Sequence, residues 1–255
     1  LAIGVRANDD SFKEKVQNIF DEEIAPAIHR FADFIEKDYL DKARNEISIS
    51  FNPNGSECYP ALVRSFLTIQ PSADQIHELG LQQIKKIRGE MEAILNEHYS
   101  GESIEKFLRR MNLDEEFTFT SEEEVVQYSR DALDTARKEA AKVFGLMPKA
   151  DVEIKPYPEF AASGVGEYHS SSEDGTRPGI FYIAVKDPTH RSRASQLSTL
   201  YHETYPGHHL QGAIALELGN KVHSFVRYTY NAGYSEGWGL YSERLAQELN
   251  LYKNS

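Results

Sequence analysis

Apolar residues recur at a spacing of three and four from Phe12 through Val16, Ile19, Phe20, Ile24, Ala27, Ile28 and Phe31 to Ile35, which predicts an amphipathic helix. Pro26 should kink or divide it, because proline lacks the N–H that an interior position donates. Asn52-Pro53-Asn54-Gly55 has the chemistry of a turn. After Pro71, Ser72 and Gln75 are placed as a capping box, and Ile76, Leu79, Ile84, Ile87, Met91, Ile94 and Leu95 carry the helix to about Asn96. Ser121 and Glu124 repeat the device ahead of Val125, Tyr128, Ala132, Ala136, Ala140 and Val143, and Gly145 with Pro148 stops that helix.

The period changes at Asp151. Val152-Glu153-Ile154-Lys155 alternates like a short strand ended by Pro156 and Pro158, and Gly179 to Val185 is the clearest strand pattern in the chain. Helical spacing returns through Leu197, Leu200 and Tyr201, and again from about Ala232 to Leu249. The expected fold is mainly α (α+β): a helical array over 1–150, a small sheet over 151–190 and helices over 191–255, undivided into independent domains.

Composition narrows the classes. In 255 residues, 40% are apolar, enough for a substantial core, and the net charge of −12 argues against nucleic acid or an anionic membrane as partner. No run is apolar enough to span a bilayer, and the opening Leu1-Ala2-Ile3-Gly4-Val5-Arg6 does not read as a signal peptide. The lack of an initiator Met, and a last segment Tyr252-Lys253-Asn254-Ser255 that follows a strong helical pattern, suggest a longer parent protein. A single cysteine, Cys58, leaves histidine and carboxylate as the only ligands for any metal.

Five of the nine histidines fall between His190 and His223, and three of them lie in the eight residues His202 to His209, beside Glu203. A zinc hydrolase needs neutral imidazoles and a carboxylate as ligands, an open position for water, and a second carboxylate to take the water's proton. The ordinary HExxH helix places both histidines one turn apart, but here the fourth position after His202 is Pro206 and the run reads HExxPGHH. Pro206 and Gly207 should bulge or break the helix locally. On an undistorted helix distance counts against His209 and angle against His208; the distortion favours His208, leaving His209 as a supporting or substrate-facing group. The third ligand is sought at Glu236 or, seven residues on and on the same helix face, Glu243. Glu236 is preferred, with Glu243 free to orient a histidine or Arg244, and Glu203 is the expected general base. His29, His77, His98, His169, His190 and His223 read as structural or surface residues.

Three blocks resemble one bacterial family, known only as domain of unknown function 885. They are Thr199 to Gln211 (HExxPGHHLQ), Asp174 to Tyr182 (DGxRPGxFY) and Glu236 to Leu245 (EGWxLYxERL), with a weaker fourth from Asn54 to Thr68. The resemblance implies a largely helical zinc peptidase of the HExxH-plus-Glu type, with His202, His208 and Glu236 as ligands of Zn2+ and Glu203 as base. It also implies a location in the bacterial cell envelope for those members that are lipoproteins, and a longer chain whose C-terminal part completes the site.

The expected substrate is a peptide, cleaved in carboxypeptidase- or oligopeptidase-like fashion. Arg177 could hold a substrate carboxylate, and Tyr182, Tyr234 and Tyr241 are candidate donors to a developing oxyanion. The strand Gly179 to Val185 could pair with an extended substrate. The competing readings are a hydrolase of esters or non-peptide amides, and a non-catalytic helical binding module with a degenerate metal site.

Overall fold

The computed structural model describes residues 10–161 and 165–252; the segments at Leu1–Arg6 and Lys253–Ser255 discussed above lie outside that range. The chain forms two compact units, Leu1–Tyr59 and Pro60–Ser255. Their boundary falls within a helix, α3 (Gly55–Leu67), so the array expected over 1–150 is shared between both units.

In the first unit the predicted long helix is divided. Helix α1 (Asp10–Ile19) passes through a π-helical turn at Phe20–Ile24 into α2 (Ala25–Phe34), and Pro26 sits in the first turn of α2. A widened turn just before proline absorbs the missing N–H and the ring's clash with the preceding turn.

The second unit holds the sheet. Helix α4 (Ala73–His98) starts on the predicted capping box: Ser72 Oγ accepts from Gln75 N at 3.1 Å and Gln75 Oε1 accepts from Ser72 N at 2.8 Å. Helix α5 (Ile104–Met111) follows, then α6 (Glu122–Val143), capped by Ser121 Oγ accepting from Glu124 N. The second capping box is only half formed. Glu124 accepts instead from Thr120 N and Thr120 Oγ1, both at 2.7 Å, and from the Arg193 guanidinium. One carboxylate oxygen is taken by Thr120 and the other by Arg193, which turns the side chain away from the Ser121 N–H, and Arg193 also lies over the rings of Phe119 and Tyr128.

Three strands, β1 (Val152–Pro156), β2 (Gly166–His169) and β3 (Gly179–Ile183), form one sheet in the order β1-β3-β2, with β1 parallel and β2 antiparallel to β3. The apolar run at Gly179 is the central strand because Phe181 and Ile183 are fully buried. It stops at Ile183, two residues short of the predicted Val185, and β2 carries no apolar alternation that would have announced it. Because β3 is paired along both edges, the expected docking of a substrate strand on Gly179–Val185 is ruled out; the edge strands are β1 and β2, and it is β2 that meets Glu203, at Tyr168 N.

Helix α7 (Arg193–Glu203) runs through the centre of the core and packs on α6, on β2 and on α10 (Ala232–Glu248), while α8 (His208–Glu217) and α9 (Ser224–Tyr228) complete the layer. Small residues permit this: Ala136 and Ala140 of α6 and Ala246 of α10 are fully buried at the contacts around Leu200 and Tyr201. Among the described residues no helix is long and apolar enough to cross a membrane.

Candidate metal centre

The His cluster does not form one bulged helix. Helix α7 ends at Glu203, Thr204 to Gly207 turn away, with a cis Tyr205–Pro206 peptide, and α8 begins afresh at His208. Gly207 is required by close approach: a Cβ there would lie 1.8 Å from the His202 carbonyl oxygen and 2.4 Å from that of Tyr201. Trp238 of α10 holds the turn from outside, its Nε1–H donating to Pro206 O at 2.9 Å.

The new helix start decides between the two histidines. His208 faces His202, with ring centroids 4.6 Å apart. His209, turned by one helical step, points into the core and is fully buried. Its Nε2–H donates to Ala150 O at 3.1 Å, and its Nδ1 accepts from Tyr168 OH at 2.9 Å. Burial lowers its pKa to about 4, so it is a neutral structural residue.

Glu236 of α10 completes a cluster. Ligand atoms of His202, His208 and Glu236 all lie within 4.8 Å of one another. Glu236 Oε2 is 3.3 Å from His202 Nε2 and 3.5 Å from His208 Nε2. Those distances match the edge of a tetrahedron around zinc, about 3.3–3.5 Å for bonds of about 2.0–2.1 Å. The three residues therefore fit a zinc ion by donor type, and the two distances to Glu236 fit it by spacing.

Helix α10 presents a single stripe to this cluster: Glu236, Gly239 and Glu243, at intervals of three and four. Gly239 leaves room for the imidazole, since a Cβ there would fall 2.5 Å from His202 Cε1 and Nε2. Glu243 Oε1 accepts from His202 Nδ1 at 2.8 Å. That bond raises the His202 pKa, whereas burial and then the neighbouring His202 lower that of His208. Tyr230 OH donates to Glu236 Oε1 at 2.6 Å, which lowers the Glu236 pKa.

Glu203 lies one residue beyond His202 and lines the same cleft of about 370 Å³ as His208, Glu236, Tyr230 and Gln211. Its Oε2 accepts from the backbone N–H of Tyr168 on β2 at 3.1 Å, and burial, chiefly, raises its pKa. The second glycine of the DGxRPGxFY block serves the same strand, because a Cβ at Gly179 would meet the Tyr168 ring at 2.6 Å.

The three predicted substrate contacts lie elsewhere. Arg177 is exposed, with its N–H donated to Ser172 Oγ, and does not line the cleft. Tyr182 stacks on Tyr157 one strand behind Glu167, and Tyr241 packs beside Trp238, 53% exposed; neither lines the cleft, nor does Tyr234. The tyrosines that do line the cleft are Tyr168 and Tyr230. Tyr168 sits on the strand that sequence missed, and Tyr230 precedes α10 in a tyrosine-rich stretch with no period to single it out.

Fold and site together define a mainly helical α+β protein with a cleft at which two histidines and a glutamate meet beside a half-buried carboxylate. The chain belongs to the family described as "Bacterial protein of unknown function (DUF885)", whose model matches residues 2–255. Among solved structures it is similar to a protein described as a "putative lipoprotein" from Colwellia psychrerythraea, with 28% identity and a TM-score of 0.83. That match covers 91% of this chain and 41% of the other, so the chain spans well under half the length of that relative. No curated protein matches it.

Proposed function

We propose that the chain carries the metal centre of a zinc-dependent hydrolase that cleaves peptide bonds. The observation that carries the reading is the convergence of His202, His208 and Glu236, whose ligand atoms lie within 4.8 Å of one another, with Glu203 on the same cleft. Zinc held there would lower the pKa of a bound water towards neutrality and polarise the scissile carbonyl.

The chain's own residues supply the rest. Glu203, with Oε2 anchored on Tyr168 N and its pKa raised by burial, is suited to take the water's proton at its other oxygen and pass it to the leaving amine. Tyr230 OH, already in the cleft, can turn from Glu236 to a developing oxyanion. The outer edge of β2, not β3, offers main-chain groups to an extended substrate. The lipoprotein description of the structural relative supports a place in the cell envelope, and the greater length of that relative leaves room for further chain to complete the cleft.

Purified protein should contain close to one zinc per chain, lost in His202→Ala and His208→Ala and kept in His209→Phe if that variant folds. Peptide-library hydrolysis should fall about 10²–10⁴-fold in Glu203→Gln with zinc content unchanged. Zinc-free protein whose stability does not respond to added metal would sink the proposal. Hydrolysis of esters with peptides untouched would replace the peptidase by the broader hydrolase.

A further inference from the structure

Gln211 closes the run HExxPGHHLQ and stands one turn after His208 on α8, so that both line the cleft. Its main-chain N–H donates to Gly207 O at 3.1 Å, as a helix requires, but its side-chain Nε2 is buried and has no hydrogen-bond partner within the chain. Among the described residues five side-chain atoms share that condition, and Gln211 Nε2 alone belongs to a residue of the cleft. A buried amide donor left unpaired is costly, and an apolar side chain of the same length would avoid the cost.

Position and charge select what that donor can meet. One helical turn carries Gln211 about 4.5 Å along α8 from His208, little more than the rise of about 3.3 Å for one residue of an extended chain. A carboxamide placed there stands opposite the peptide unit next to a scissile bond at the metal centre. It offers two N–H donors and a carbonyl acceptor, the complement of a peptide C=O and N–H. Its terminal torsion is broad and two-fold, and with Nε2 unbonded nothing holds it to one orientation. Glu167, Glu203 and Glu236 line the cleft and no Lys or Arg does, so it suits a neutral peptide unit better than a terminal carboxylate.

We propose that Gln211 is a substrate-binding residue whose carboxamide pairs with the neutral peptide unit next to the scissile bond, so that the cleft takes substrates with a further peptide bond at that point. The inference rests on the hydrolase reading above. In the peptide that the library shows cleaved fastest, each of the two peptide units beside the scissile bond is replaced in turn by a trans-alkene of the same shape. In the parent, one replacement should lower kcat/KM about tenfold, the size of a lost hydrogen bond. In Gln211→Met, kcat/KM on the unaltered peptide should fall by a similar factor, and the same replacement should cost nothing further, the signature of a direct contact. Zinc content should stay at the parent level, and the unfolding midpoint should not fall, because the side-chain donor has no bond inside the protein to lose.

If Gln211→Met does not fold, the side-chain amide signals of Gln211 in zinc-loaded Glu203→Gln protein carry the same test. They should shift when the peptide is added and stay in place with the alkene at the coupled unit. Equal alkene penalties in parent and Gln211→Met, loss of zinc in that variant, or amide signals that ignore the peptide overturn the inference alone. A parent that binds no zinc, or that leaves every peptide of the library intact, overturns the reading of the site itself.

Discussion

Single residues hold this site by what they lack as much as by what they supply. Gly207 has no Cβ to strike the last carbonyls of α7, so Gly207→Ala should force the turn apart. A loss of about 3 kcal/mol or more in denaturant unfolding is expected, together with loss of metal binding. Glu124 shows how a residue read as a cap becomes a charge anchor. Bonds from Thr120 N, the Arg193 guanidinium and Thr120 Oγ1 hold its pKa at about 2, below the ordinary glutamate value of 4.5. A carboxylate depressed on folding binds fewer protons folded than unfolded, so its stabilisation is complete above about pH 4.5 and is lost as pH falls towards 2. Because the group is partly solvated, about 1–2 kcal/mol is expected, and urea unfolding of Glu124→Gln should differ from the parent at pH 7 but much less near pH 2.

At the scale of elements, the cluster is made by three helices and the break between two of them. Helix α7 brings His202 and Glu203, the break resets the phase so that α8 brings His208, and the stripe Glu236, Gly239, Glu243 of α10 closes against both. The α7–α10 contact has no spare volume at Gly239, so Gly239→Ala should displace the His202 ring. Zinc titration should then show affinity reduced by at least an order of magnitude at a cost of about 1–3 kcal/mol in stability. The break was legible in Pro206 and Gly207, as was the alternative between His208 and His209; the two elements that flank the cleft were not. Strand β2 is short, glycine-led and polar on its exposed face, and it owes its place to pairing with β3 rather than to any pattern of its own.

For the whole molecule, the proposed metal centre would tie together His202 and Glu236, 34 residues apart in sequence, so binding should stabilise the fold. Any ligand that binds only the folded state raises its stability, by about 2.7 kcal/mol at a hundredfold excess over Kd. In a protein of this size that corresponds to a rise in Tm of about 5–10 °C with zinc, reversed by a chelator. Calorimetry on parent and His208→Ala separates this from nonspecific salt effects, since only the parent should respond.

The helices that follow Ser72 and Ser121 and the one from Ala232, the central strand, the capping of α4 and the chemical types at the site follow from the chain alone, because period, capping and ligand chemistry are local properties, whereas α3, α5 and α9 were not read from it. Which histidine turns inward, and which glutamate faces the cluster and which braces His202, were decided by packing. So was the placing of Arg177, Tyr182 and Tyr241 away from the cleft. Those outcomes depend on how α10 and β2 lie against α7, contacts between segments far apart in sequence that no local spacing encodes.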